Sequence, residues 1–168
     1  MITLGTRLLA ESLIKNRFPH LCYVRVHTHC KHAATIYAWN GDLILPDADV
    51  RSLKQFATDY LNPYVCFKVK AYNMVQTDHV PRVLEVPALI IQTATNRKLN
   101  QYEIVAVMNR LFAPGELTFS KYDPTKGIIY FEFQSTHYVD ESDKELIAQY
   151  LYEITPLGSV CEVIFQYN

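Results

Sequence analysis

The residues best suited to chemistry are histidines and cysteines that lie close together near the N-terminus. Imidazole and thiolate are the preferred protein ligands of zinc and similar ions. Side chains two residues apart on a strand point the same way, so His27 and His29 can present two nitrogens to one ion. The sequence therefore predicts a weak divalent-metal site, such as a zinc site, at His27, His29 and His32. The whole cluster is His20, Cys22, His27, His29, Cys30 and His32.

A metal-dependent enzyme that uses His27, His29, Cys30 and His32 is one functional hypothesis. No other catalytic motif supports it, because the five glycines form no phosphate-binding loop and no G-x-S-x-G motif. The cluster is also predicted to lie at the tip of a hairpin, where metal ligands are poorly preorganised. The sequence therefore favours a non-enzymatic protein without a tightly bound cofactor.

An aromatic and basic face is predicted where two strands each alternate their side chains. Tyr37 and Trp39 share one face of their strand, and Lys68 and Lys70 share one face of another. Such a face can pack against protein, or it can stack the bases of a single-stranded nucleic acid together with Tyr23. The formal net charge of −1 gives no long-range positive field, which makes nucleic acid the less favoured partner.

Helical and strand periodicity along the chain divides it into ten main elements. Residues 100 and 142 are expected to cap the third and fourth helices, and Pro63 is expected to follow the second. The predicted helices are residues 6–17, 48–61, 101–112 and 143–154. The predicted strands are residues 22–28, 34–39, 65–72, 116–122, 128–134 and 160–167.

The order of these elements predicts an α+β fold made by internal duplication of two αββαβ units. Each unit is a three-stranded sheet with two helices on one face. A spacing of 93 residues aligns Ile36-Tyr37 with Ile129-Tyr130 and Leu53 with Leu146. The first unit is predicted at residues 1–73 and the second at 100–168. Residues 74–99 are a predicted linker, in which 87–96 could form an extra helix or an extra strand.

The predicted sheets are apolar on more than one face. The run 128–133 puts apolar side chains on both sides of its strand. We expect the two sheets to bury their open faces against each other or against a second copy of the chain. The leading hypothesis is therefore a self-associating protein-interaction or structural module.

Composition limits the setting in which the protein works. The chain is 49% hydrophobic and 20% charged, which is typical of globular proteins. Its four cysteines form no C-x-x-C pair, no secretion signal is recognised, and the longest apolar run, residues 86–91, is too short to span a bilayer. The sequence therefore predicts a cytoplasmic protein with free thiols and no membrane partner.

Overall fold

The computed structural model describes residues 5–62 and 64–168 and has an α+β architecture. Pro63 and the first four residues of the predicted first unit lie outside the described residues. The helices are α1 (Arg7–Arg17), α2 (Asp47–Phe56), α3 (Met74–Thr77), α4 (Ala88–Ala94), α5 (Gln101–Leu111) and α6 (Glu141–Ile154), and a π-helical turn, Ala57–Leu61, extends α2. The strands are β1 (Leu21–Cys30), β2 (Ala33–Asn40), β3 (Cys66–Ala71), β4 (Glu116–Asp123), β5 (Ile128–Ser135) and β6 (Val160–Tyr167).

The strands form two mixed sheets of three strands each. The first sheet has the order β1-β2-β3 and the second has the order β4-β5-β6. In both sheets the first pair is antiparallel and the second pair is parallel. The helix before the third strand makes the crossover that a parallel pair requires.

Each sheet has its own apolar core on the face covered by helices. The first core joins α1 and α2 to the inward side chains of β1 and β2, including Ile14, Val26 and Ile36. The second joins α4, α5 and α6 to Met108, Phe131 and other side chains of the second sheet. Residues 87–96 of the predicted linker, for which both a helix and a strand were open, contain the helix α4. Pro87 stands immediately before its first residue.

The two cores also exchange side chains. Leu157, from the loop between α6 and β6, is buried in the first core, and Leu8 of α1 packs against the second. The backbone N–H of Leu157 donates to the carbonyl of Gly5 at 2.9 Å. Further contacts between the two halves pair α1 with α4 and α6, and β1 with Tyr152 of α6.

One local prediction was wrong. Asp140, not Ser142, caps α6, because its carboxylate accepts the N–H of Asp143 and starts the helix two residues early. The two sheets do not pack face to face in the described residues, so burial of an open face against a second copy stays a prediction. The open face of the first sheet is instead crossed by residues 74–86, which we call the crossing segment. None of the described helices has the length and apolarity needed to cross a bilayer.

The strand pairings of the two sheets also correct which residues of the two halves correspond to each other. Ile36 lies between Val26 and Val69 in the first sheet, and Phe131 lies between Phe119 and Val163 in the second. The counterpart of Ile36 is therefore Phe131, two residues beyond the predicted match at Ile129. In α6 the buried counterpart of Leu53 is Ile147 rather than the partly exposed Leu146.

Candidate functional site

The structure brings two of the three predicted metal ligands together. His27 and His29 lie on β1 with ring centroids 4.8 Å apart. His32 lies in the turn after β1, where its N–H donates to the Gly158 carbonyl at 2.9 Å. The hairpin tip is exposed at Cys30 and Lys31, as predicted, although the turn also packs against Gly158. His27 pairs with Thr35 in the ladder, whereas His29 lies at an irregularity in β1, with its ring 2.6 Å from the Thr35 hydroxyl.

Two of the three predicted ligands are thus neighbours, and the other cysteine and histidine positions do not complete a site with them. Cys30 ends β1 as an exposed free thiol, and His20 makes a 2.9 Å contact with Asp49. In residues 5–62 and 64–168, no three histidine, cysteine or acidic side chains are grouped closely enough to hold a metal ion.

The environment of His27 keeps its ring neutral. The Tyr152 hydroxyl lies 2.9 Å from His27 Nδ1 and accepts the N–H of Thr28 at 3.3 Å, so its own proton is free to go to Nδ1. This network assigns the ring proton to Nε2. Burial, followed by the charges of His29, Arg25 and Arg7, lowers the pKa of His27 to about 4.

We expect stability to fall as the pH drops through the range between the ordinary histidine pKa of 6.5 and about 4. Above that range neither state of His27 is protonated, whereas within it the unfolded chain binds the proton first. Because the ring is half-buried and partly screened by solvent, we expect a loss of about 1–2 kcal/mol. Urea denaturation at several pH values measures the free energy of unfolding. As the pH falls, His27→Gln, which keeps an acceptor for the Tyr152 hydroxyl, should lose less of it than the wild type does.

His137→Gln is the matched control for this measurement, because His137 is exposed in the loop before α6. Its pH dependence should follow that of the wild type. The groups around His27 that could also titrate or shift its charge are Arg7, Arg25, His29, Tyr152 and Glu153. An unchanged loss in His27→Gln would mean that one of these groups, and not His27, dominates.

A second network holds the crossing segment over the first sheet. The Tyr37 hydroxyl donates to Asp78 Oδ2 at 2.8 Å, and Lys70 Nζ donates to the same oxygen at 2.8 Å. Tyr37 is fully buried, and burial together with the Asp78 hydrogen bond raises its pKa to about 12. The predicted aromatic and basic face is therefore divided, since Tyr37 and Lys70 contact the protein's own chain while Trp39 packs edge-on against Tyr23 at its margin.

A buried ion cluster lies beside these histidines. Arg7 contacts Glu11 at 2.7 Å and Glu153 at 2.6 Å, and all three side chains are largely buried. A cleft of about 330 Å³ opens next to it, lined by Arg25, His27, Tyr152 and the crossing segment. No sequence pattern indicates this cluster, because Glu153 is far along the chain from Arg7 and Glu11.

Three of the four sheet edges are protected against pairing with another strand. On β1, Glu11 accepts the N–H of Val26 and Tyr152 accepts the N–H of Thr28. The edge strand β3 has six residues and carries two lysines. The edge strand β4 is irregular between Phe119 and Lys121. Short length, lysines and irregular register are the usual means of preventing edge-to-edge association.

The edge of β6 lacks these protections. It has eight residues in regular register with β5, contains no proline or lysine, and carries Glu162 as its only charge. A groove of about 430 Å³ runs beside it, with Lys144, Ala148 and Tyr152 of α6 on one wall. The inward side chains of β6 form the other wall, namely Cys161, Val163 and Phe165, and Lys144 Nζ lies 5.1 Å from the Phe165 ring. Burial raises the pKa of the Cys161 thiol to about 12.

The chain was also compared with other proteins. No protein-family model, no curated protein and no solved structure matches it. Its function is therefore inferred from the residues of the site itself.

Proposed function

We propose that this protein is an interaction module that self-associates by pairing the β6 strands of two copies. The observation that supports this most directly is the difference between the edges. β1, β3 and β4 are each protected, whereas β6 is long, regular and nearly uncharged. An edge of this kind is a template for a further strand.

The backbone of β6 has hydrogen-bonding groups free for such a strand. Val160 donates its N–H to Gly127 and Asn168 donates to Ser135, both toward β5. Because these directions alternate along a strand, the N–H groups of Cys161, Val163 and Phe165 point away from β5. An added strand would pair with these groups.

The same residues point their side chains into the groove under α6. In an antiparallel pair centred on Val163, each Cys161 lies opposite Phe165 of the second copy, so apolar side chains meet on that face. On the other face, Glu162 meets Ile164 and no like charges lie opposite each other. The strand is thus self-complementary, as a two-fold interface requires. Pairing would also remove from water some of the apolar surface of Val160 and Ile164, which are 42% and 54% exposed.

The alternative functions have less support. The nucleic-acid platform loses Tyr37, whose ring is buried under the crossing segment, although Tyr23 is 45% exposed. A metal enzyme would need a third ligand beside His27 and His29, and His32 lies with Gly158 instead.

We also propose that the two halves descend from one duplicated αββαβ unit. Both halves have the same strand order and the same sequence of antiparallel and parallel pairs. The corresponding turn residues support this: His32 and Gly127 both have positive φ, and each accepts a hydrogen bond from the first residue of the third strand.

Val163→Pro should abolish self-association. Proline removes the outward N–H and places its ring in the pairing plane, without removing a hydrogen bond to β5. The measurement is sedimentation velocity across a wide range of concentrations. Val163→Thr is the matched control, because it keeps the N–H and the branched shape and should associate as the wild type does.

The proposal is contradicted if the wild-type protein stays monomeric at every concentration. It is also contradicted if Val163→Pro associates as strongly as Val163→Thr, since the interface would then lie elsewhere. Circular dichroism of both variants checks that the second sheet is intact.

A further inference from the structure

A second apolar pocket lies inside the other end of the second sheet, away from β6. Its volume is about 430 Å³, and it opens between the start of α5 and the end of α6. Its lining residues are mostly aliphatic, aromatic or proline, and the two polar ones, Asn100 and Gln101, begin α5. The main apolar lining is Leu99, Ile104, Phe119, Ile129, Phe131 and Ile154.

The first half of the chain has a smaller cavity at the matching place. Its volume is about 210 Å³, and Leu157, only 4% exposed, lines it together with Gly5, Ala10 and Leu61. Gly5 and Ala10 lie near the start of α1 as Leu99 and Ile104 lie near the start of α5. The cavity of the second half, at about 430 Å³, is about twice as large.

We propose that this pocket binds a small apolar molecule, of an aromatic or short aliphatic kind. Its volume falls within the range of small-molecule sites, about 300–1,000 Å³. It is larger than a leucine side chain needs, and the aromatic rings of Phe119 and Phe131 form part of its wall, 6.1 Å apart. This site goes beyond self-association and shares no residue with the groove beside β6.

Toluene is a suitable probe, because it has no polar group that could bind elsewhere by hydrogen bonding. Its binding to the full-length protein can be followed by saturation-transfer NMR and by the methyl resonances of isoleucine. The expected result is saturable binding, with shifts concentrated at Ile104, Ile129 and Ile154.

Phe119→Trp should weaken toluene binding at least ten-fold, because the larger indole occupies the pocket. Phe112→Trp is the matched control, since Phe112 packs against the same core but lines a different cavity, and it should bind toluene as the wild type does. The methyl shifts of the wild-type protein provide a second test that does not depend on how the variants fold.

The proposal is overturned if toluene shows no saturable binding up to its solubility limit. It is also overturned if the shifts lie at other methyl groups, or if a folded Phe119→Trp variant binds as tightly as the control. If toluene changes the sedimentation of Val163→Pro, the pocket is a contact for a second copy of the chain. That result also counts against a small-molecule site.

Discussion

Replacing Arg7 by methionine should destabilise the protein by about 3–5 kcal/mol, because it leaves two buried carboxylates without their cation. Glu11 lies 2.7 Å and Glu153 2.6 Å from the guanidinium, and Glu153 is only 7% exposed. Glu11 also accepts the N–H of Val26, so the loss would extend to the edge of the first sheet. Urea denaturation followed by Trp39 fluorescence measures the change in the free energy of unfolding.

The pH dependence of this variant distinguishes lost charge balance from lost packing. Burial already raises the pKa of Glu11, and Arg7 opposes that effect in the wild type. Without Arg7 the pKa of Glu11 rises further in the folded state than in the unfolded state. The folded variant then binds protons more readily, so its deficit should shrink as the pH falls from about 7 to about 5.

Combining Arg7→Met with Glu153→Leu is the control for the same prediction. The double variant removes the cation together with one carboxylate, so it should recover part of the lost stability. A deficit that is equal at both pH values and is not recovered by Glu153→Leu would show that Arg7 stabilises the fold by packing alone.

The sequence was sufficient to predict the elements that local physics dictates. Asn100 caps α5 by accepting the N–H groups of Tyr102 and Glu103, as its position before an apolar stripe predicts. The strand from Val160 to Tyr167 has the predicted bounds. The start of α6 was wrong, because Asp140 and Ser142 are both good caps and the choice between them depends on the preceding chain.

The candidate sites were harder to predict because they depend on long-range contacts. The buried state of Tyr37 comes from Asp78, which lies in a segment expected to be a linker. Periodicity cannot show that a polar segment crosses a sheet face. The lowered pKa of His27 likewise depends on burial in the folded chain and on charges that include Arg7, which is distant in sequence.

The contrast between the sheet edges was only partly visible in the sequence. Lys68 and Lys70 were predicted to share one face of their strand, which does not by itself place that strand at a sheet edge. The protection of β1 depends on Glu11 and Tyr152, which belong to helices and reach the strand only in the tertiary structure. Without it, β1 and β6 could not be distinguished as sites of association.

Leu157→Ala should destabilise the first half of the chain, although the residue belongs to the second. Leu157 is buried in the first core, so its truncation should cost about 2–5 kcal/mol in lost burial and cavity formation. Trp39 lies in β2 of the first sheet and is the only tryptophan, so its fluorescence reports unfolding where the cavity forms. Leu43→Ala removes the same atoms from a side chain that is 52% exposed, and it should cost less than about 0.5 kcal/mol.

The same variant tests whether the two halves unfold together. Leu157 enters the first core while Leu8 packs against the second, and this exchange should couple the halves into one cooperative unit. In the wild type, Trp39 fluorescence and far-ultraviolet circular dichroism should therefore give coincident transitions. In Leu157→Ala, the first sheet should unfold at a lower urea concentration than the second, as Trp39 fluorescence reports. The amides of the second sheet should keep more of their protection from hydrogen exchange than those of the first. Equal losses of protection in both sheets would mean that the halves remain coupled without Leu157, through their other contacts.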